Sequence, residues 1–298
     1  MAGKMRTRSV CEVRICVLVG HGALLTRNDS SLRTRFGYNA GMNETDLTEL
    51  VRLTEQAAAL MRDADRTHLG VEQKTGNRDL VTHYDKLVQE TLVETLGRAF
   101  PGVGFQCEEG GEFAQTTGTR FIIDPIDGTS NFVHGMGLSA TSVALVEDDT
   151  PLAAVVANPF SDETFSAAAG RGAAKCGAAL PPVADAGLAD SLVCLGTSLY
   201  FPELYQKTLD LVARLGLQFN DIRRLGSAAL DCCFAAEGRY GVFFEYTLAP
   251  WDYAAGSLIA AECGAHVSTM ENAPLRYDAR CSVLIGAPRA AEEFLALL

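Results

Sequence analysis

The chain has 298 residues, of which 48% are hydrophobic, and a formal net charge of −12 at pH 7. This length and composition are typical of a globular protein with a substantial core, and no apolar run reaches the roughly 18 residues that a membrane-spanning helix needs. The negative charge disfavours sequence-independent nucleic-acid binding, which depends on Lys and Arg, and it implies that cations must bridge the protein to any anionic substrate.

Residues 1–41 differ from the rest, because they carry seven basic and only two acidic residues, a local net charge of +5. The remaining chain therefore carries −17. Three interpretations are open for this basic N-terminal extension: a targeting segment, since transit peptides are rich in Arg and poor in acids, a disordered arm, or a start assigned upstream of a true start at Met42. The third is favoured, because the apolar segment from Cys11 to Val19 is short and interrupted for a secretory signal.

Two amphipathic helices are predicted next. The first starts near Thr45 or Asp46, either of which can cap it, and its apolar residues recur at helical spacing as far as Met61. The second runs from about His83 to Phe100 and ends before a Pro-Gly pair. Short apolar runs then predict strands over Phe121–Ile123, Ala140–Val146, Leu152–Ala157 and Thr164–Ala168.

Strands and helices alternate in the second half. A segment rich in Pro, Ala and Asp, Leu180–Asp190, is the candidate boundary between two halves of one domain over residues 42–298. Beyond it the pattern predicts strands over Ser191–Leu195 and Tyr240–Glu245, and helices over Pro202–Leu215, Gly226–Ala236 and Pro250–Cys263.

The cysteines suggest neither a disulfide framework nor a zinc site. There are nine, an odd number, and they include no Cys-x-x-Cys pair. A reducing cytoplasm therefore fits best. The cysteines and the five histidines are not arranged for a phospho-enzyme, so the sequence indicates no covalent phospho-cysteine mechanism.

The strongest chemical signal is the segment from Asp124 to Thr129, which follows a predicted strand. Asp124 can bridge two hard cations, while Asp127 and the carbonyl of Ile126 complete their shells, because Mg²⁺ prefers oxygen ligands. Gly128 allows a tight backbone, and the amides of Gly128 and Thr129 at a helix start can hold a phosphate oxygen. Taken alone, Asp-Pro and Asp-Gly are also ordinary turn formers.

Other acids accompany this segment, each with a simpler interpretation. Glu108 and Glu109 lie in a glycine-rich loop that solvent alone could explain. Thr82 and Asp85 precede the second predicted helix and could be caps, although capping does not require Lys74 upstream. Asp252 lies in the first turn of a predicted helix, where the helix dipole alone would favour it, and Glu245 ends the preceding strand.

Taken together, these segments resemble a known family. Glu108-Glu109, Asp124–Thr129 and Trp251–Gly256, in this order, are similar to the three signature stretches of the inositol monophosphatase family. Asp79–Asp85 resembles the family's motif before its second helix, and Ser130–His134 continues the central signature. The resemblance covers residue 45 to the C-terminus. It implies an α/β layered sandwich of alternating helix and sheet layers, like those of inositol monophosphatase and fructose-1,6-bisphosphatase.

The resemblance also implies roles for individual residues. Two or three Mg²⁺ ions would be ligated by Glu108, Asp124, the Ile126 carbonyl, Asp127 and Asp252. Asp85 and Thr129 would orient or activate the attacking water, with Lys74 nearby. Substrate contacts would come from Gly128, Thr129, Gly226, Ser227, Ala228 and Glu245, the last of which would bind substrate hydroxyls. One departure is that the loop between Glu108 and Asp124 looks shorter than in typical animal members, which leaves the pocket shape open.

The implied reaction is Mg²⁺-dependent hydrolysis of a small phosphorylated polyol, foremost inositol monophosphate, by metal-activated water. The implied protein is a cytoplasmic homodimer that needs neither nucleic acid nor a membrane. Related phosphatases act on 3′-phosphoadenosine 5′-phosphate, sugar bisphosphates, histidinol phosphate or NADP, and specificity among such substrates depends on a few pocket contacts. A non-enzymatic protein that binds a partner through the same fold is the alternative from another class.

Overall fold

A computed structural model describes residues 43–73, 80–110 and 115–298. Two helices come first, α1 (Glu44–Arg62) and α2 (His83–Ala99), with the short strands β1 (Glu72–Gln73) and β2 (Leu80–Val81) between them. The predicted cap of α1 at Thr45 or Asp46 is wrong. Asn43 is the N-cap, because its side chain accepts a 2.9 Å hydrogen bond from the amide of Asp46, which lies in the first turn.

A seven-stranded sheet follows, with its strands in chain order from β3 to β9. Strands β3 and β4 are parallel and the other pairs are antiparallel. The short helix α3 (Thr129–His134) separates β4 from β5. The strands are β3 (Gly104–Cys107), β4 (Thr119–Asp127), β5 (Ala140–Glu147), β6 (Thr150–Asn158), β7 (Glu163–Ala168), β8 (Ala173–Lys175) and β9 (Ala178–Ala179). The four strands predicted in this region are confirmed.

A second sheet has five strands in the order β11-β10-β12-β14-β13, in which β10 is parallel to both of its neighbours. Its strands are β10 (Leu192–Leu195), β11 (Asp221–Arg223), β12 (Val242–Leu248), β13 (His266–Ser268) and β14 (Cys281–Gly286). The helices of this half are α4 (Pro202–Leu215), α5 (Ala228–Ala236), α6 (Pro250–Glu262) and α7 (Pro288–Leu295). A 3-10 turn at Leu188–Asp190 precedes β10.

Side chains alternate between the two faces of each strand, so each sheet packs against helices on both faces. The helices and sheets therefore form five layers. On β4, Phe121 and Ile123 pack with α1 and α2, whereas Ile122 faces α5 and α6. On β12, Phe243 faces those same two helices, while its neighbours on either side pack with α4 and α7. The predicted layered α/β sandwich is confirmed, with α5 and α6 enclosed between the two sheets.

The enclosed helices consist mostly of buried apolar residues, as expected of helices that lie between two sheets. They also approach each other closely: a Cβ on Gly256 of α6 would lie 2.3 Å from the Cβ of Cys232 on α5. Glycine at position 256 therefore allows this close spacing, and a larger residue would have to move the two helices apart.

Arg120 on β4 is fully buried and ties the seven-stranded sheet to the loop that precedes β14. Its guanidinium donates to Gln106 Oε1 at 2.8 Å, to the carbonyl oxygens of Gly118 and Asp148 at 3.1 and 3.0 Å, and to the Tyr277 carbonyl oxygen at 2.8 Å. In the described part of the chain, no helix has both the length and the apolar composition needed to cross a membrane.

Candidate metal centre

The end of β4 departs from regular pairing at the place where the sequence carries its acids. Asp124 pairs with Ser142 of β5 and Asp127 pairs with Ala140, so the register shifts between them. Pro125 cannot donate a ladder hydrogen bond, and its carbonyl instead accepts one from Thr141 Oγ1 at 2.9 Å. The irregularity lets both carboxylates belong to one cluster.

Asp252 joins these two acids from the first turn of α6. Pro250 occupies the start of the helix, and the Ala249 amide donates to Asp252 Oδ2 at 2.7 Å, which fixes the side chain. Asp124, Asp127 and Asp252 each offer an oxygen, and these oxygens all lie within 4.8 Å of one another. The dipole interpretation of Asp252 and the metal interpretation are thus compatible.

Burial gives this cluster its electrostatic character. Burial, together with the charges of Glu108, Asp127 and Asp252, raises the pKa of Asp124 well above its ordinary value. Burial also raises the pKa of Asp252, with the charges of Asp127 and Glu108 acting in the same direction. Asp124 Oδ1 is buried and has no hydrogen-bond partner among the described residues. An oxygen-only donor set with excess negative charge and an unpartnered buried oxygen fits hard divalent cations.

Asp127 differs from the other two acids, because groups at the start of helix α5 partly compensate its negative charge. Burial raises its pKa to about 6, while hydrogen bonds from Ser227 and Ala229 act in the opposite direction. Ser227 Oγ and the Ala229 amide both donate to Asp127 Oδ2, the second at 2.8 Å. Ser227 is also the N-cap of α5. The residue predicted to line the substrate pocket therefore contacts a candidate metal ligand.

Glu108 lies beside the cluster, because its amide donates to the Ile123 carbonyl oxygen at the end of β4, 3.1 Å away. The next residue, Glu109, is held by α2: Gln89 Nε2 donates to its carbonyl oxygen at 2.7 Å, and its amide donates to Gln89 Oε1 at 3.0 Å. The glycine-rich loop is thus anchored on both sides of its acids rather than lying loose in solvent.

Asp85 caps α2 and also contacts Thr129. The amide and Oγ1 of Thr82 both donate to Asp85 Oδ2 at 2.6 Å, which completes a capping box at the start of α2. The other oxygen, Oδ1, accepts from Thr129 Oγ1 at 3.3 Å, and that hydroxyl also lies 3.0 Å from the Ile126 carbonyl oxygen. The capping residue thus reaches the candidate metal centre through Thr129. Lys74 and Asp79 lie outside the described residues.

Gly128 and Gly226 approach each other closely beside the acidic cluster. Gly128 precedes α3 with φ 83°, and a Cβ there would lie 3.0 Å from the Gly226 carbonyl oxygen. Gly226 itself has φ 89°, so α5 begins at Ala228 and not at the predicted Gly226. The proposed roles of Gly128, Thr129, Gly226 and Ala228 toward substrate stay predictions.

The side chain of Glu245, on β12, is held in place by the loop that contains Ser198, a contact that the sequence did not indicate. Its Oε1 accepts from the amide and hydroxyl of Ser198 at 2.7 and 3.2 Å, and Ser198 has a positive φ of 46°. Burial raises the pKa of Glu245 to about 7, against the opposing effect of these hydrogen bonds. Its predicted contact with substrate hydroxyls stays a prediction.

Two charged residues of this region were missed. Asp231 on α5 is buried and accepts a hydrogen bond from Cys194 Sγ at 3.1 Å. Arg224 precedes α5, and its charge acts on Asp127 and Glu245. An acid inside an otherwise apolar helix was a signal for the first, but an isolated arginine before a helix gives none.

The sequence of this chain is similar to those of known proteins. The sequence profile of the inositol monophosphatase family matches residues 42–298. The chain is 32% identical over 248 residues to the Nus factor SuhB of Escherichia coli K12, covering 83% of this chain and 92% of that protein. It is 30% identical over 249 residues to the inositol-1-monophosphatase of Bacillus subtilis, covering 83% and 94%.

Solved structures show the same likeness. An IMPase of Thermotoga maritima superposes with a TM-score of 0.75 at 30% identity, covering 85% of this chain and 96% of that one. The extragenic suppressor protein suhB of Bartonella henselae gives a TM-score of 0.77 at 31% identity, covering 85% and 97%.

Proposed function

The chain belongs to the inositol monophosphatase family, and from that premise we propose that it is a Mg²⁺-dependent phosphatase that hydrolyses inositol monophosphate to inositol and phosphate. The observation that supports this most directly is the cluster of Asp124, Asp127 and Asp252, whose oxygens lie within 4.8 Å of one another. The unpartnered Oδ1 of Asp124 supports it further.

Two or three Mg²⁺ ions would be held by Glu108, Asp124, the Ile126 carbonyl, Asp127 and Asp252. Bound there, Mg²⁺ supplies a Lewis acid that activates water and offsets the negative charge that develops in phosphoryl transfer. The backbone of Glu108 is held by the hydrogen bond from its amide to the Ile123 carbonyl oxygen. The carboxylate of Asp127 is held by hydrogen bonds from Ser227 and Ala229. These backbone and side-chain contacts hold the donors in place before any cation binds.

The remaining residues would position water and substrate. Thr129 Oγ1 lies between Asp85 and the Ile126 carbonyl oxygen. Thr129 and Asp85 would therefore orient a water, and the Asp85 carboxylate would receive its proton. The amides of Gly128 and Thr129 would bind a phosphate oxygen, and Gly226, Ser227 and Ala228 would line the side toward the alcohol. Glu245, when ionised, would accept hydrogen bonds from substrate hydroxyls. Lys74 is proposed to assist the water.

The test is phosphate release from myo-inositol 1-phosphate, 3′-phosphoadenosine 5′-phosphate, fructose 1,6-bisphosphate, histidinol phosphate and NADP, each with Mg²⁺ and with EDTA. Mg²⁺-dependent release that is fastest from the inositol ester supports the proposal. Faster release from another compound would replace the substrate, and no release from any compound by folded protein would overturn the activity.

A second candidate is a protein whose main role is to bind a partner. It is favoured by one observation, the relatives at 32% identity that are named Nus factor SuhB. One variant separates the two: Asp124→Asn removes hydrolysis and leaves partner binding intact if the two roles are independent. We further propose that residues 42–298 form the catalytic domain and that the protein acts as a cytoplasmic homodimer.

A further inference from the structure

The half-buried side chain of Asn131, in the first turn of α3, joins two segments that are far apart in the sequence. Its amide nitrogen donates a 2.8 Å hydrogen bond to the carbonyl oxygen of Leu138, in the loop that leads to β5. The same nitrogen donates a second 2.8 Å hydrogen bond to the carbonyl oxygen of Leu225, just before α5. A side-chain amide nitrogen carries two protons, so Asn131 can supply both carbonyl groups at once.

Asn131 lies where these two segments come closest to each other. A Cβ on Gly128 would be 3.0 Å from the carbonyl oxygens of Gly226 and Leu138 and 3.3 Å from the Cβ of Ser227. A Cβ on Gly226 would be 3.3 Å from the amide nitrogen of Asn131. The segments therefore meet backbone to backbone, and the asparagine amide holds them at this separation.

The residues after Leu225 show what depends on this contact. Ser227 is the N-cap of α5, and its Oγ donates to Asp127 Oδ2. The amide of Ala229 donates to the same oxygen at 2.8 Å. Gly226, with φ 89° and no side chain, restrains the chain little by itself. The hydrogen bond from the asparagine to Leu225 therefore fixes the direction in which the backbone enters α5.

We propose that Asn131 is a positioning residue for the phosphatase reaction, which acts through Ser227 to hold the start of α5 against Asp127. This inference rests on the proposed function and adds to it a residue that contacts neither the candidate metal ligands nor the reacting atoms directly. Asparagine is suited to the role, because aspartate has the same shape but would face both carbonyl oxygens without a donor. Without the amide, two partly buried carbonyl groups lose their donor, and the start of α5 is held less firmly.

The test is a double-mutant cycle of Asn131→Ala and Ser227→Ala, measured as kcat/KM for myo-inositol 1-phosphate with saturating Mg²⁺. Each single substitution should lower kcat/KM by about 10-fold, the size expected when a hydrogen bond that orders the site is lost. In the Asn131→Ala background, Ser227→Ala should add less than about 3-fold, because the contact with Asp127 is already loosened. A residue with a merely structural role would give independent losses that multiply.

Asn158→Ala is the matched control. The amide nitrogen of Asn158 donates at 3.1 Å to the carbonyl oxygen of Gly137, which belongs to the loop before β5 and not to the segment before α5. Its effect should multiply with that of Ser227→Ala. Coupling of equal size for Asn158 would overturn the inference, since it would assign the effect to the loop before β5, and multiplied losses for Asn131 and Ser227 would overturn it as well. If Asn131→Ala does not fold, Asn131→Gln replaces it in the cycle, because the amide then lies one methylene farther from the backbone.

A second measurement separates this inference from the proposed function. The same cycle in the midpoint of urea denaturation, with EDTA, needs neither substrate nor cation. The combined shift of Asn131→Ala and Ser227→Ala should be smaller than the sum of the two single shifts. Additive shifts in an active protein would overturn the inference alone. Failure of the wild type to release phosphate from any ester would overturn the proposed function and, with it, the role of Asn131 in the reaction.

Discussion

The backbone amide of Ala229 donates a 2.8 Å hydrogen bond to Oδ2 of Asp127, which joins the first turn of α5 to the end of β4. The two residues are 102 positions apart in the sequence. Ser227 donates to the same oxygen, and Asp127 also belongs to the cluster with Asp124 and Asp252. The position of a candidate metal ligand thus depends on how the middle helix layer packs on the sheet.

Replacement of Asp124 by Asn should raise the melting temperature of the metal-free protein and remove the stabilisation that Mg²⁺ gives. The physical reason is that Asn keeps the shape but removes one negative charge from a buried acidic cluster, and with it the affinity for cations. Phosphatase activity should fall by about 100-fold or more. Thermal unfolding with EDTA and with Mg²⁺ measures both effects. Asp162→Asn, at an exposed site, is the control, and an undiminished Mg²⁺ shift in Asp124→Asn would contradict the assignment.

Ser227→Ala should destabilise the protein by about 1 to 3 kcal/mol, because it removes both a helix cap and a hydrogen bond to a buried carboxylate. Urea denaturation in EDTA measures this difference. Ser161→Ala is the matched control, since Ser161 Oγ also donates to a carboxylate, Glu163, but at an exposed site. A similar free energy of unfolding for the two variants would show that Ser227 does not support Asp127.

Glu245 should make the stability of the metal-free protein fall as the pH rises. Burial lifts its pKa from 4.5 to about 7, so the folded state retains a proton that the unfolded chain releases. The contribution is fully present below about pH 4.5 and is lost as the pH rises through about 7, a change of roughly 3 kcal/mol. Glu245→Gln should therefore gain stability relative to the wild type between pH 5 and 8 by that amount.

The control for this pH dependence is Glu94→Gln on the exposed face of α2, which should follow the wild type across the same range. Denaturation at several pH values in EDTA provides the comparison. Parallel curves for Glu245→Gln and the wild type would mean that Glu245 is ionised in the folded protein throughout this range.

Arg120→Met should destabilise the fold by about 3 kcal/mol or more. Methionine fills part of the volume, but the carbonyl oxygens of Gly118, Asp148 and Tyr277 then lose their buried donor. Arg98→Met, which removes an exposed cation paired with Glu94, should change stability by less than about 0.5 kcal/mol. Equal effects of the two substitutions in urea denaturation would contradict the role of Arg120 as a tie between the sheets.

Most of the helices and strands, and the central Asp124–Thr129 motif, could be predicted from the local sequence. The Asp124–Thr129 segment could be identified because its acids, its proline and its glycine act within one strand end and the following turn. The start of α1 was misplaced because Asn43, Thr45 and Asp46 are all competent caps, and only the observed hydrogen bond of Asn43 distinguishes them. Periodicity cannot separate caps that lie so close together.

Contacts between distant segments could not be predicted. Nothing local to Ser227 indicates that it binds Asp127, and nothing local to Ser198 indicates that it holds Glu245. Arg224 was overlooked for a related reason: its charge acts on Asp127 and Glu245, which are distant from it in the sequence. Residue type therefore indicated the acids, while tertiary packing was needed to find the groups that orient them.

The close approach of Gly256 to Cys232 has a consequence for how this protein can change over evolution. Helices α5 and α6 each begin at the acidic cluster and meet each other farther along, so a methyl group added at this crossing would separate their first turns without altering any acid. The volume of side chains in the middle layer is therefore expected to set the separation of the candidate metal ligands that these two helices hold in place.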